Sequence, residues 1–232
     1  TYARMNALAP VKYVDISFNP VPDCDTLLDC SITVSRGRLN SISAEVEGTY
    51  SAGDWGVAAG LTYSNKNIFR GAEVLSLGAR ASYEWRANGG RAIEAKAEAG
   101  LTFPTQVKLN VAYNYQQRPE EYTRTIANAG LSYTVPHKAG SKWSHQFNLI
   151  DVNYIYLPWI SDRFKSDFMD HASVLKASYE DHFIVDWSYT GSYSSYNPRL
   201  PNKSYLQFAL KVETAGNATY GLSKLANLTQ DE

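Results

Sequence analysis

Leu75-Ser-Leu-Gly-Ala-Arg-Ala-Ser-Tyr-Glu-Trp-Arg86 decides the fold. Leu75, Leu77, Ala79, Ala81, Tyr83 and Trp85 fall on one face of an extended chain, and Ser76, Gly78, Arg80, Ser82, Glu84 and Arg86 on the other. A strand sends successive side chains to opposite faces, so this period of two predicts a sheet with one apolar and one polar side. Residues 93–103 repeat it, with Ile93, Ala95, Ala97, Ala99, Leu101 and Phe103 opposing Glu94, Lys96, Glu98 and Thr102. A soluble sandwich also has a polar face. Here, however, the apolar face is built from small residues and Leu, with Tyr, Trp or Phe near strand ends, and the polar face is charged along its length. That combination predicts an all-β, antiparallel transmembrane β-barrel with lipid outside, a wet lumen inside and aromatic girdles at both interfaces.

The same pattern extends in both directions. It predicts ten meandering strands near 40–50, 56–64, 73–86, 91–103, 106–117, 123–135, 143–157, 172–180, 183–195 and 204–214. The connections alternate in character. Ser51–Trp55, Arg86–Gly90, Arg118–Tyr122, Trp159–His171 and Asn197–Lys203 are polar or variable. Asn65–Ala72, Pro104–Gln106, Pro136–Gly140, Glu180–His182 and Ala215–Asn217 are mostly tight. Tight turns on one rim and looser loops on the other fit a barrel. From Gly216 to Glu232 the alternation is lost, and no aromatic terminal strand closes the barrel.

Residues 1–37 differ. Thr1–Leu8 is expected to end a helix stopped by Pro10. Val14, Ile16 and Phe18 make a strand, Pro20, Pro22 and Asp23–Asp25 a turn, and Leu28–Val34 a second strand. This small α+β unit cannot bury a core alone. The barrel portion is expected over 38–232, with Arg36-Gly37-Arg38 as the hinge.

Composition narrows the function classes. Thirty aromatics, seventeen of them Tyr, accompany a mean hydropathy of −0.35 and a net charge of −1. No run approaches the ~20 apolar residues of a spanning helix, and no basic stripe offers itself to nucleic acid. Thr1–Pro10 lacks a basic and apolar leader, so the chain is expected to be a mature protein or an internal piece of a longer one.

Several stretches taken in order carry a family resemblance. Glu45-Val-Glu-Gly-Thr-Tyr-Ser-Ala-Gly-Asp-Trp-Gly56 is followed by Asn67-Ile-Phe-Arg-Gly-Ala-Glu73. Asn114-Tyr-Gln-Gln-Arg-Pro-Glu-Glu-Tyr-Thr-Arg-Thr-Ile-Ala-Asn128 and His145-Gln-Phe-Asn-Leu-Ile-Asp151 come next. Tyr179-Glu-Asp-His182 and Glu213-Thr-Ala-Gly-Asn217 complete the series. Together these resemble the barrel of BamA/TamA-type outer-membrane assembly proteins, the bacterial surface antigen superfamily. The resemblance implies that residues 1–37 end a periplasmic POTRA domain and that the rest is the first part of an outer-membrane barrel. It further implies a protein that folds and inserts outer-membrane proteins without a chemical reaction or a cofactor. Outer-membrane lipids, unfolded outer-membrane substrates and accessory lipoproteins would be its partners. The implied templating strand is Ser41, Ile42, Ser43, Ala44, Glu45, Val46, Glu47 and Gly48, whose edge would pair with an incoming strand. The family's turn signature falls on Asn67, Phe69 and Gly71, where Gly71 is expected to take positive φ and Phe69 to anchor at the interface. The later strands and the lumen loop of that family are absent, so a fragment is expected.

Other residues have plainer readings. Cys24 and Cys30 flank a short turn and are expected either to bond across a hairpin, which the periplasm permits, or to remain two small buried thiols. No metal site is expected, because His137, His145, His171 and His182 lie far from the cysteines in sequence. Ser178, Asp181 and His182 invite a hydrolase triad, but no Gly-x-Ser-x-Gly elbow accompanies them; polar turn residues are the better reading. Glu45, Glu47, Arg80, Glu84, Glu94, Lys96, Glu98, Lys108, Lys176, Asp186, Lys211 and Glu213 are expected to point inward, as a selective pore or a hydrated network. The sequons at Asn202, Asn217 and Asn227 are expected to be chance. A passive channel, the translocation barrel of a surface enzyme, and a soluble β-sheet binding protein are the rival functions.

Overall fold

The computed structural model describes residues 2–21, 24–51, 53–87, 89–135, 141–166, 179–196 and 204–216. A short helix α1 (Tyr2–Asn6) precedes a two-stranded hairpin of β1 (Val11–Val21) and β2 (Cys24–Arg36). Val14 is buried at 1% exposure where α1 meets β1. Pro20 sits at the end of the hairpin, beside a register break, the position where a missing N–H costs least.

Nine strands follow in one antiparallel sheet: β3 (Asn40–Ser51), β4 (Asp54–Asn65), β5 (Val74–Trp85), β6 (Arg91–Thr102), β7 (Val107–Arg118), β8 (Tyr122–Thr134), β9 (Trp143–Ile160), β10 (His182–Ser194) and β11 (Gln207–Ala215). Each pairs with its neighbour in chain order. A turn of α2 (Asp162–Phe164) lies between β9 and β10. Most strands run twelve or thirteen residues, more than the ~9–11 that a tilted strand needs to span a bilayer.

The expected tenth strand at 172–180 is corrected. β9 pairs directly and antiparallel with β10, with Phe183 opposite Tyr154, so no strand lies between them. Tyr179 and Glu180 are turn, and 167–178 fall outside the described residues. Losing one strand reverses every later connection: Glu180–His182 joins the rim of Arg86–Gly90, and Asn197–Lys203 the rim of Asn65–Ala72.

The register builds the two faces. On the outside, Leu77, Ala99, Val111, Ala129, Val152 and Val185 form one row across six strands. Nothing covers it: Val46 is 84% exposed, Ile42 71% and Leu210 62%. Val14, Ala58 and Tyr122 are the only buried apolar residues among those described. A soluble protein rarely leaves a patch of more than a few hundred Å² bare, so this face needs an apolar solvent. Aromatics bracket it at both rims. Tyr50 stacks on Trp55 at 4.7 Å and Tyr83 on Trp85 at 4.6 Å; on the other rim Trp143 meets Tyr193 at 5.2 Å and Phe208 at 5.5 Å.

On the inner face, glycines let polar side chains lie across neighbouring strands. A Cβ at Gly78 would come within 2.8 Å of Glu98 Cγ, and one at Gly130 within 2.8 Å of Asn110 Oδ1. Around Gly48, on the outer face of β3, there is nothing within 4 Å. Gly78→Val is therefore expected to cost about 1–3 kcal/mol through overpacking, and Gly48→Ala less than about 0.5 kcal/mol. Urea unfolding in lipid would measure both.

Candidate functional site

The expected templating residues Ser41–Gly48 all lie in β3, an outer strand of the sheet that pairs only with β4 among the described residues. Lys66 N–H donates to Leu39 O at 2.8 Å. Backbone groups in an antiparallel ladder alternate between the partner and the opposite side. Ser41, Ser43, Glu45 and Glu47 therefore direct theirs to β4. Ile42, Ala44, Val46 and Gly48 direct theirs to the free edge, and the same four carry the outward side chains. In lipid an unpaired backbone group costs several kcal/mol, so this edge calls for another strand.

β3 is tied to the sheet from inside. Arg80 of β5 reaches across β4, donating from Nη1 to Glu45 Oε1 at 3.2 Å and from Nη2 to Glu47 Oε2 at 2.5 Å. Gly60 and Gly56 make the crossing passable: a Cβ there would meet Glu45 Oε1 at 2.7 Å and Thr49 Oγ1 at 2.5 Å. At the near rim Asn40 Oδ1 accepts from Tyr63 Oη at 3.0 Å and Asn65 Nδ2 at 2.7 Å.

Further round, ionic contacts give way to amides. Lys96 pairs with Glu98 at 2.7 Å, and Asn114 donates to Glu94 at 2.6 Å. Asn110 donates to Asn128 at 3.1 Å, Asn128 to Asn153 at 2.8 Å, and Asn153 to Asp186 at 3.3 Å. The register puts Glu84, Lys108, Lys211 and Glu213 on this inner face too, while Lys176 is outside the described residues. Sequence reasoning missed the asparagine row, although one Asn at an inward position in each of β7, β8 and β9 was its signal.

The turn between β4 and β5 carries Asn67, Phe69 and Gly71. Asn67 Oδ1 accepts from Ala72 N at 2.9 Å, and Glu73 Oε2 accepts from Gly71 N at 2.9 Å. Positive φ falls on Arg70 (70°) and Ala72 (68°) and not on Gly71, which corrects the expectation. Gly71 supplies room instead, because a Cβ would strike Glu73 Oε1 at 2.2 Å. Phe69 stands 65% exposed at the rim. A cleft of about 630 Å³ separates this turn from the hairpin unit, lined by Leu8, Val11, Val34 and Leu39 with Arg36 and Arg70.

The cysteine bridge is also corrected. The chain turns at 22–23, so Cys24 and Cys30 share β2, with Cys30 opposite Phe18. Six extended residues separate their Cα atoms by about 20 Å, far beyond disulfide reach. Cys30 is free and exposed, so the buried-thiol alternative fails for it as well. Of the supposed triad, Asp181 Oδ1 accepts from Leu157 N at 2.8 Å, a turn-stabilising bond; Ser178 is outside the described residues.

A second cluster lies at the far rim. Glu121 takes ion pairs from Arg86 and, at 3.2 Å, Arg118. Ser161 N donates to Glu121 O at 2.9 Å, and Ser161 Oγ to Glu120 O at 2.8 Å. Tyr122, 5% exposed, packs against Phe164 at 6.0 Å and Tyr179 at 5.4 Å, with Arg118 and Arg124 over its ring. Both ends of the β9–β10 connection are thus pinned to one rim. Burial pushes the Glu121 carboxyl up, but hydrogen bonds and charge from Arg86 and Arg118 outweigh it and hold the group below the usual carboxylate range. A depressed folded pKa stabilises above the unfolded value, ~4.3, and that contribution vanishes as pH falls through the folded value. Protease cleavage in the β9–β10 connection is accordingly expected to stay constant from neutral pH down to about pH 5 and to rise below about pH 4. Glu121→Gln is expected to show the faster cleavage already at neutral pH, having lost roughly 1 kcal/mol.

No protein-family model matches the chain, and no curated protein matches it. Among solved structures it resembles CdiB from Acinetobacter baumannii, at 15% identity and a TM-score of 0.56, over 91% of this chain and 39% of that one. The fold is a partial outer-membrane β-barrel. BamA from Haemophilus ducreyi, crystallised without POTRA domains 1–3, is a second neighbour: 15% identity, TM-score 0.47, 92% of this chain and 41% of that one. The chain spans about two fifths of either structure.

Proposed function

We propose that this chain is the leading part of an outer-membrane barrel that folds and inserts other outer-membrane β-barrel proteins, with β3 as the template and residues 1–37 on the periplasmic side. One observation carries the reading: the strand with lipid-facing side chains Ile42, Ala44, Val46 and Gly48 presents the backbone groups of those residues to a free edge. Strand addition satisfies such groups one by one, whatever the incoming side chains, which suits a device that must accept many sequences. Outer-membrane lipids, unfolded barrel substrates and accessory lipoproteins are the proposed partners.

The test is reconstitution of the full-length protein in liposomes with an unfolded outer-membrane protein. Faster assembly than in empty liposomes, with cross-links from position 46 to a substrate strand, is expected. Equal rates and no cross-link would sink the reading. A passive channel is the second reading, favoured by the continuous polar inner face; steady conductance without assembly would select it.

A further inference from the structure

We infer that Arg80 is a positioning residue that sets the register of β3, and so decides where on the template an incoming strand begins to pair. The inference rests on the templating reading, but its first readout does not. Hydrophobic pattern alone leaves the register of β3 underdetermined. A slip of one residue would turn Ile42, Ala44 and Val46 into the lumen, which is forbidden; a slip of two keeps every residue on its own face. Ser43, Glu45, Glu47 and Thr49 would all still point inward.

What distinguishes the native register is a lock on the inner face. Glu45 stands opposite Gly60 and Thr49 opposite Gly56, the two positions on β4 where the missing Cβ leaves space for them. After a two-residue slip Glu45 would face Ala58 or Thr62, whose side chains fill that space. The fork of Arg80 then fixes the choice, since its two nitrogens engage Glu45 and Glu47 at once. All these contacts are made on the inner face and over β4. The free edge of β3 is left unobstructed, as a template requires.

The experiment uses the full-length protein in its membrane, with Cys24→Ser and Cys30→Ser to remove background thiols. A Ser43→Cys/Thr62→Cys pair reports the native register, and Ser43→Cys/Ser64→Cys the slipped one; Ser43 and Thr62 are direct partners, at the separation that disulfides favour. With Arg80 present, the native pair is expected to cross-link and the slipped pair to stay reduced. Arg80→Met is expected to raise the slipped fraction at least fivefold and to slow substrate assembly by a similar factor. The triple exchange Arg80→Glu, Glu45→Arg, Glu47→Arg is expected to restore both, which a general packing defect would not allow. Gly60→Val, which fills one of the two spaces without touching the charges, is expected to shift the register in the same direction. An unchanged cross-link ratio in both Arg80→Met and Gly60→Val overturns the inference. A shifted ratio with unchanged assembly overturns the positioning role. Wild-type protein in native register that assembles nothing overturns the templating reading itself.

Discussion

Ala97→Arg is expected to destabilise the protein in lipid by about 2–4 kcal/mol, the cost of an arginine on the lipid face near the bilayer midplane. Ala97 lies at the middle of β6, between Ala79 and Tyr113, on the outer face and exposed. In water such a change would pass almost unnoticed, because an exposed surface substitution usually stays within about 0.5 kcal/mol. The same arginine at Ala112 is expected to be tolerated. Ala112 is on the inner face, directly opposite Glu98, where a cation meets water and a carboxylate. Urea titration of both variants in the same lipid gives the difference. Two equal, small costs would mean that the outer face is wet, and the membrane reading would fall with it.

Much of this sheet was legible in the sequence, and the parts that were not share a cause. Alternation is a local signal, so Leu75–Trp85 and Ile93–Leu101 disclosed their faces without reference to neighbours. The tenth strand failed because β9 runs eighteen residues with register shifts against β8 and β10. A sequence window breaks such a strand early and must then fill the gap before β10. Rim assignments downstream depended on that parity and reversed with it. The cysteine expectation failed on two residues of turn position, enough to move Cys24 from one arm of a hairpin onto the arm that holds Cys30. Glu121, Arg86 and Ser161 meet only after three loops converge on one rim, and no spacing in the chain announces that. The Arg80 fork was half visible. Its face was read correctly, yet the partner choice depends on Gly60 standing between β3 and β5.

Val46→Pro is expected to leave the barrel folded while cutting substrate assembly at least tenfold. Proline removes one N–H and fixes φ near the extended range. Within a sheet it is tolerated where the lost N–H faces away from the ladder. The N–H of Val46 faces the free edge and that of Glu45 faces β4, by the alternation set at Leu39 and Lys66. Residue 45 is already extended, as the position before a proline must be. Val46→Pro therefore deletes one donor from the template and none from the β3–β4 ladder. The incoming strand then loses a hydrogen bond and keeps an unpaired carbonyl in lipid, where each such group costs several kcal/mol; a factor of ten needs only about 1.4 kcal/mol. Glu45→Pro breaks the ladder and one prong of the Arg80 fork, and is expected to lower the unfolding midpoint of the barrel itself. Val46→Ala, which trims the side chain but keeps the N–H, is expected to assemble substrate nearly as well as wild type. Heat-modifiable migration on gels reports folding, and liposome assembly reports function. If Val46→Pro assembles substrate at the wild-type rate, the free edge of β3 is not where strands are captured. If it fails to fold, the assigned direction of the residue 46 N–H is wrong.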